Sequence, residues 1–174
     1  MRKKVLLLLA DALIAALLLA VDQFTKYLAV VYLKDAPDII LIRDVLELSY
    51  LENRGSAFGM LQNQKFFILF VGFVFLILIL FFLFKLPAEK KFITVHICLA
   101  AVIAGGIGNM IDRFRLDYVV DFISFVLIHF PVFNFADCCI VVAVIGLFIL
   151  FLFVFKEKDL EFLSFKQKKF REMK

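Results

Sequence analysis

Two carboxylates in apolar settings are the residues best suited to chemistry. Asp121 lies in Tyr118-Val119-Val120-Asp121-Phe122-Ile123, and Asp137 in Phe133-Asn134-Phe135-Ala136-Asp137-Cys138. Two carboxyls brought together where water is excluded cannot both ionise readily, so they share a proton. The ionised member then takes a proton from water while the protonated member donates to a carbonyl oxygen. Asp137 opens an apolar run, where a helix macrodipole favours negative charge by roughly 0.3–1 kcal/mol, so Asp137 is expected to be the more readily ionised partner. From residue types alone the structural alternatives stand beside this one. Asp137 or Asn134 could cap a helix, and Asp121 could pair with Arg113 or Arg115.

Other polar residues gather around the two acids. Asn109 and Arg113 are four apart and share a face on a continuing helix. They could hold a peptide backbone, with Arg113 as the donor-rich member, or Arg113 could pair with Asp112 or a lipid phosphate. Asp22 and Lys26 have the same spacing, with the acid first, the favourable order for a helical ion pair, and structural support is their expected role. Gly105, Gly106 and Gly108 are expected to let helices approach closely. Asn53-Arg54-Gly55-Ser56-Ala57-Phe58-Gly59 reads as a polar turn. Other chemistries find little footing. The sequence holds neither a Gly-x-Ser-x-Gly elbow nor a His-Glu-x-x-His zinc helix. Cys98, Cys138 and Cys139 are expected to be buried, inert thiols, and no His lies near Cys138 or Cys139 in sequence to activate either as a nucleophile.

The elements that must position these residues are membrane spans. Of 174 residues, 64% are hydrophobic and 24 are Phe. A soluble domain runs about 45–50% apolar, so a soluble enzyme, a disordered chain and a nucleic-acid-binding domain are excluded. Uncharged or nearly uncharged runs at 5–31, 66–84, 92–111 and 137–155 approach the ~20 residues that cross the hydrocarbon as a helix. The fold expected is an all-α polytopic membrane protein, one integral domain over 1–174. A cleavable signal peptide is the rival reading of the first run, opposed by apolar residues that continue past Ala20.

Most of the 20 Lys and Arg flank these runs on one side: Arg2, Lys3 and Lys4; Lys85, Lys90 and Lys91; Lys156, Lys158, Lys166, Lys168, Lys169, Arg171 and Lys174. The positive-inside rule puts both termini and the middle link in the cytoplasm. Segments 34–65 and 112–136 then face outward. Leu46, Leu48 and Tyr50 alternate with Glu47 and Ser49, predicting a strand, with Ile39–Ile42 a second, so a small β element is expected on the outer side. Asp22, Lys26, Asn53, Arg54, Asn109, Asp112, Arg113, Asp121, Asn134 and Asp137 all fall at that end. A non-enzymatic transporter or assembly factor would explain the spans but not this one-ended gathering. Inside the spans only Asp11 and His96 are available. They are expected to hydrogen-bond across helices as a structural pair, a contact of about 0.6 kcal/mol on average, unless Asp11 is protonated or reaches toward Lys4.

In order and spacing, five segments resemble lipoprotein signal peptidase, the type II signal peptidase of bacteria: Asp22-x-x-x-Lys26, Asn53-x-Gly55-x-Ala57-Phe58, Gly108-Asn109-x-x-Asp112-Arg113, Val119-Val120-Asp121-Phe122-Ile123 and Phe133-Asn134-x-Ala136-Asp137. Ser56 stands where that family more often has Ala. The resemblance implies an aspartic endopeptidase of the bacterial cytoplasmic membrane, with its active site near the outer face. Its substrate would be a diacylglyceryl-modified prolipoprotein, cleaved just before the lipidated Cys. By motif position Asp121 and Asp137 would be the catalytic dyad. Asn53, Asn109, Arg113 and Asn134 would bind substrate or support the dyad, and Asp22, Lys26, Gly55, Gly108 and Asp112 would give structural support. No metal or organic cofactor is implied. The partners expected are substrate and membrane lipid, and the chain is expected to act as a monomer.

Overall fold

The structure is a computed structural model that describes residues 2–55, 61–62 and 64–163. Ser56, Ala57, Phe58 and Gly59 of the turn motif, and Lys166, Lys168, Lys169, Arg171 and Lys174 of the tail, lie outside the described residues. Among the described residues, four helices are long and apolar enough to cross a membrane. Helix α1 spans Arg2–Tyr32, α2 Lys65–Lys85 and α3 Ile93–Leu116. Helix α4 spans Phe135–Ile149 and continues as a wider turn through Val154. Strands β1 (Ile39–Ile42), β2 (Leu46–Asn53) and β3 (Val119–Phe125) form one antiparallel sheet in that order.

Three boundaries differ from expectation. Helix α3 runs past Ile111 to Leu116, so Asp112 and Arg113 are helical rather than part of an outward loop. Asp117 then ends the helix in the left-handed region, φ 70°, which short acidic side chains tolerate. Segment 112–136 also holds a third strand, although Val119-Val120-Asp121-Phe122 shows no alternation. That strand is buried on both faces over its first four residues, and such strands read as continuous apolar runs. The third difference is small: α4 begins at Phe135, two residues before its expected start. The thiols of Cys98, Cys138 and Cys139 are half-buried rather than fully buried.

Helix α2 buries only Leu83, while Phe66, Phe70, Phe73 and Phe75 stand exposed, the pattern of a helix apolar all round that faces lipid. Helix α3 is the interior one. It buries Val95, His96, Ala100, Ile103, Ala104, Gly105, Gly108 and Asp112. A Cβ at Gly105 would stand 2.5 Å from the Ala136 carbonyl, and one at Gly108 would overlap the Asp22 carboxylate. These two glycines therefore set the approach of α3 to α4 and to α1. Gly106 faces open space and sets nothing. At the sheet end, Ala29 of α1 and Leu33, just past its end, pack with Val120 and Phe122 of β3, seating the sheet on the bundle. At the opposite end Phe92 stacks on Phe155 at 5.1 Å and meets Phe162 edge-on at 5.4 Å.

The helices are pinned at the sheet end by one buried ammonium. Lys26 is 3% exposed, Asp22 1% and Asp112 4%. Lys26 Nζ lies 3.0 Å from Asp22 Oδ2, 2.9 Å from Asp112 Oδ2 and 2.9 Å from Asn109 Oδ1, so its three N–H groups have three acceptors. Asp22 Oδ1 accepts the Ala136 N–H at 3.0 Å, one of the free donors in the first turn of α4. Asp112 Oδ2 accepts the Val120 N–H of β3 at 3.3 Å. Gln23, which the sequence reading passed over, donates to Asp22 at 3.2 Å and to Asp112 at 3.0 Å. One cation thus ties α1, α3, α4 and β3 together.

Removing the cation leaves two buried carboxylates facing each other. Lys26→Met is expected to destabilise the protein by about 3–5 kcal/mol, read as thermal unfolding in detergent. Adding Asp22→Asn and Asp112→Asn to Lys26→Met removes the stranded charges and should recover most of that loss. If Lys26→Met alone unfolds like the parent, the ammonium is not what holds the helices.

Candidate active site

Asn134 is the N-cap of α4, where capping side chains are strongly preferred. Its Oδ1 accepts the Asp137 N–H at 3.0 Å, and Asp137 Oδ2 accepts the Asn134 N–H at 3.2 Å, a reciprocal capping box. With Oδ1 committed to the helix, Asn134 Nδ2 turns outward. It donates to Asp121 Oδ1 at 2.6 Å and to Asn109 Oδ1 at 3.1 Å. A single residue therefore touches both carboxylates, through its side chain on one and its main chain on the other.

Asn109 is oriented by the same logic. Lys26 can only donate, so the Asn109 oxygen faces it and the amide nitrogen faces away. That nitrogen donates to Asp137 Oδ1 at 2.8 Å. Asn53, the last residue of β2, donates to Asp121 Oδ2 at 2.8 Å, and its own oxygen accepts the Gly55 N–H at 3.0 Å. Arg113 closes the ring, donating to the Gly55 carbonyl at 2.8 Å and to the Asn109 carbonyl at 3.3 Å.

The structure thus brings Asn53, Asn109, Arg113 and Asn134 around Asp121 and Asp137. Lys26, Asp22 and Asp112 lie beneath Asn109. Asp121 is held by two amides rather than by Arg113 or Arg115. Asp112 is paired with Lys26 rather than with Arg113. Gly55 is engaged through its backbone, and Gly108 through the space it leaves for Asp22.

The two carboxylates sit in different surroundings. Asp121 is 1% exposed on β3, whereas Asp137 is half-buried in the first turn of α4. Burial pushes the Asp121 carboxyl up to about 6, aided by the nearby charge of Asp137 and opposed by the amides of Asn53 and Asn134 and by Lys26. Asp121 therefore holds its proton to a higher pH than an ordinary carboxyl does. Asp137 accepts the Asn109 amide at 2.8 Å and the Asn134 N–H at 3.2 Å.

Solved structures place this architecture among bacterial membrane enzymes. One, described as a bacterial membrane enzyme structure determined by the in meso method at 2.3 Å, superposes with a TM-score of 0.75. It is 28% identical, covering 91% of this chain and 93% of that one. A second of the same description, at 1.9 Å, gives 0.72 over 84% of this chain and 94% of that one. Fold and likeness together define a polytopic membrane enzyme. A family described as signal peptidase (SPase) II matches residues 14–154. The lipoprotein signal peptidase of Brevibacillus brevis is 44% identical over 147 residues, spanning 84% of this chain and 97% of that protein. That of Caldanaerobacter subterraneus subsp. tengcongensis is 45% identical over 141 residues, 80% of this chain and 94% of that protein. The chain belongs to the signal peptidase II family.

Asn53 and Asn134 each donate to Asp121 and favour its ionised form. Asn53→Ala and Asn134→Ala should each raise the Asp121 carboxyl further above about 6, as followed by the pH dependence of its infrared carbonyl band against an Asp121→Asn reference. A downward move in both variants would show that the amides do not stabilise the carboxylate.

Proposed function

We propose that this chain is an aspartic endopeptidase that removes the signal peptide from diacylglyceryl-modified prolipoproteins, cutting just before the lipidated Cys. The observation that carries the reading is the bridge at Asn134, which contacts Asp121 at 2.6 Å and Asp137 at 3.2 Å. That bridge supports a shared-proton pair. Asp137, exposed on one side and supplied with N–H donors, serves as base and takes a proton from the attacking water. Asp121, sunk in the strand and holding its proton, donates to the oxygen of the scissile carbonyl. As the tetrahedral gem-diol collapses, the C–N bond breaks, the proton gained by Asp137 passes to the leaving amine of the lipidated Cys, and Asp121 recovers its proton from a gem-diol hydroxyl as the product carboxyl forms. Arg113 and Asn53 fasten the segment that follows β2 beside the pair, where an extended peptide would lie.

The substrate's lipid and its apolar signal helix remain in the bilayer, so the bond to be cut lies near a membrane interface, at the depth of the sheet end. The basic residues at the opposite end support a cytoplasmic location for both termini. The site then faces the outer side of a bacterial cytoplasmic membrane, and one copy holds all the residues named.

Asp121→Asn and Asp137→Asn should each lower cleavage of a lipid-modified prolipoprotein by about 10³-fold or more, with unfolding temperatures in detergent close to the parent's. Full turnover by either folded variant removes the dyad assignment. The alkaline limb of kcat/KM should follow loss of the Asp121 proton near pH 6 in the free enzyme. The sign for stability follows from the same shift. A carboxyl raised in the folded state binds its proton more tightly there, so stability falls as pH rises from about 4 to about 6. Asp121→Asn should flatten that slope.

A further inference from the structure

Far from the site, Asp11 of α1 and His96 of α3 meet inside the bundle. His96 Nδ1 lies 2.7 Å from Asp11 Oδ2, and the residues are 0% and 2% exposed. Lys4 is not Asp11's partner, since it donates to the Phe84 carbonyl at 2.5 Å. His96 Nε2 is buried without a partner among the described residues, so the bond to Asp11 is the side chain's one polar anchor there.

The position of this pair is informative. Asp11 and His96 are 85 positions apart, and Lys26 and Asp112 are 86 apart. The two contacts therefore lie on one parallel register of α1 against α3. Asp11 and Lys26 are separated by 15 residues, about 22 Å of helix. Between the two contacts the helices present Ala12, Ala15, Ala16, Ala100 and Ala104 to a groove of about 360 Å³. Van der Waals packing fixes helix alignment in lipid, and where a groove interrupts that packing it holds one alignment less firmly. A helix of 31 residues held only at its Lys26 end could pivot there. A second buried polar contact removes that freedom, because a carboxylate and an imidazole that part inside the bilayer find no replacement partner.

We propose that Asp11 and His96 are a positioning pair for catalysis. They hold the angle of α1 on α3, so that Lys26 stays on Asn109 and Asn109 keeps Asp137 aimed. This rests on the dyad reading above for its effect on turnover, but not for its effect on helix alignment.

The test joins the two readouts. Asp11→Leu and His96→Leu should each lower kcat for the lipidated substrate by about 10- to 100-fold with little change in KM, as misplacement of reacting groups does. Asp11→Asn, which can still bond to Nδ1, should stay close to the parent. In a background with Cys98, Cys138 and Cys139 replaced by Ala, Ala15→Cys with Ala100→Cys should cross-link readily, and either Leu substitution should reduce the yield. If the Leu variants do not accumulate, Asp11→Ala serves by the same criteria. The pair is not a positioning device if the folded variants keep both the parent kcat and the parent cross-link, or if they lose only unfolding temperature. The cross-link is read without turnover, so failure of the dyad assignment would leave that arm standing.

Discussion

A buried ammonium that can only donate gives the polar end of this protein its direction. Lys26 must find three acceptors in a region from which water is excluded, and it finds Asp22, Asp112 and Asn109. Its demand on Asn109 fixes which way that amide turns, and the amide nitrogen is left for Asp137. The N–H of Asp137 in turn fixes Asn134, whose nitrogen is left for Asp121. Each amide has one end committed to a donor that cannot reverse. An apolar replacement of the Lys26 cluster could match its stability, but it would leave Asn109 free to flip and Asp137 without its aimed amide.

Two chemically identical side chains are set apart by the elements that carry them. A β-strand whose two faces are covered places Asp121 among Val119, Val120 and Phe122, with burial acting against its charge. A helix start places Asp137 at the rim, where it accepts the Asn134 N–H and the Asn109 amide. Strand and helix belong to one short stretch of chain, which the Ile123–Phe133 bridge folds back on itself. The raised Asp121 carboxyl is thus set first by burial in its strand and is only adjusted by the charge of Asp137.

Much of this was legible in one dimension. Four long apolar runs can only be helices in a bilayer, and Asp22 and Lys26, four apart, had to share a helix face. The alternation from Leu46 to Tyr50 marked β2. Strand β3 was hidden because burial on both faces erases alternation, and Asp121 then looked like a loop carboxylate. The bond from Arg113 to the Gly55 carbonyl was also out of reach, since a backbone acceptor leaves no trace in residue type. Gln23 was missed for a related reason. A lone amide beside a charged residue on a helix is unremarkable until the partner helix supplies Asp112 and the Gly108 carbonyl.

The register of the sheet carries the last constraint. Leu48 pairs with Ile123 and Leu51 with Asp121, so β2 spends one more residue than β3 across that interval. Side chains alternate faces along a strand, and a one-residue offset moves every later one to the other face. Without the extra residue, Glu52 rather than Asn53 would stand opposite Val119, and Asn53 would point away from Asp121. With it, Asn53 lies diagonally across from Asp121 on the same face, within reach for its 2.8 Å bond. The same offset lets the chain leave β2 at Arg54 and Gly55, where the Gly55 carbonyl meets Arg113. A single irregularity in β2 thereby sets both the second amide on Asp121 and the anchor for the segment beside it.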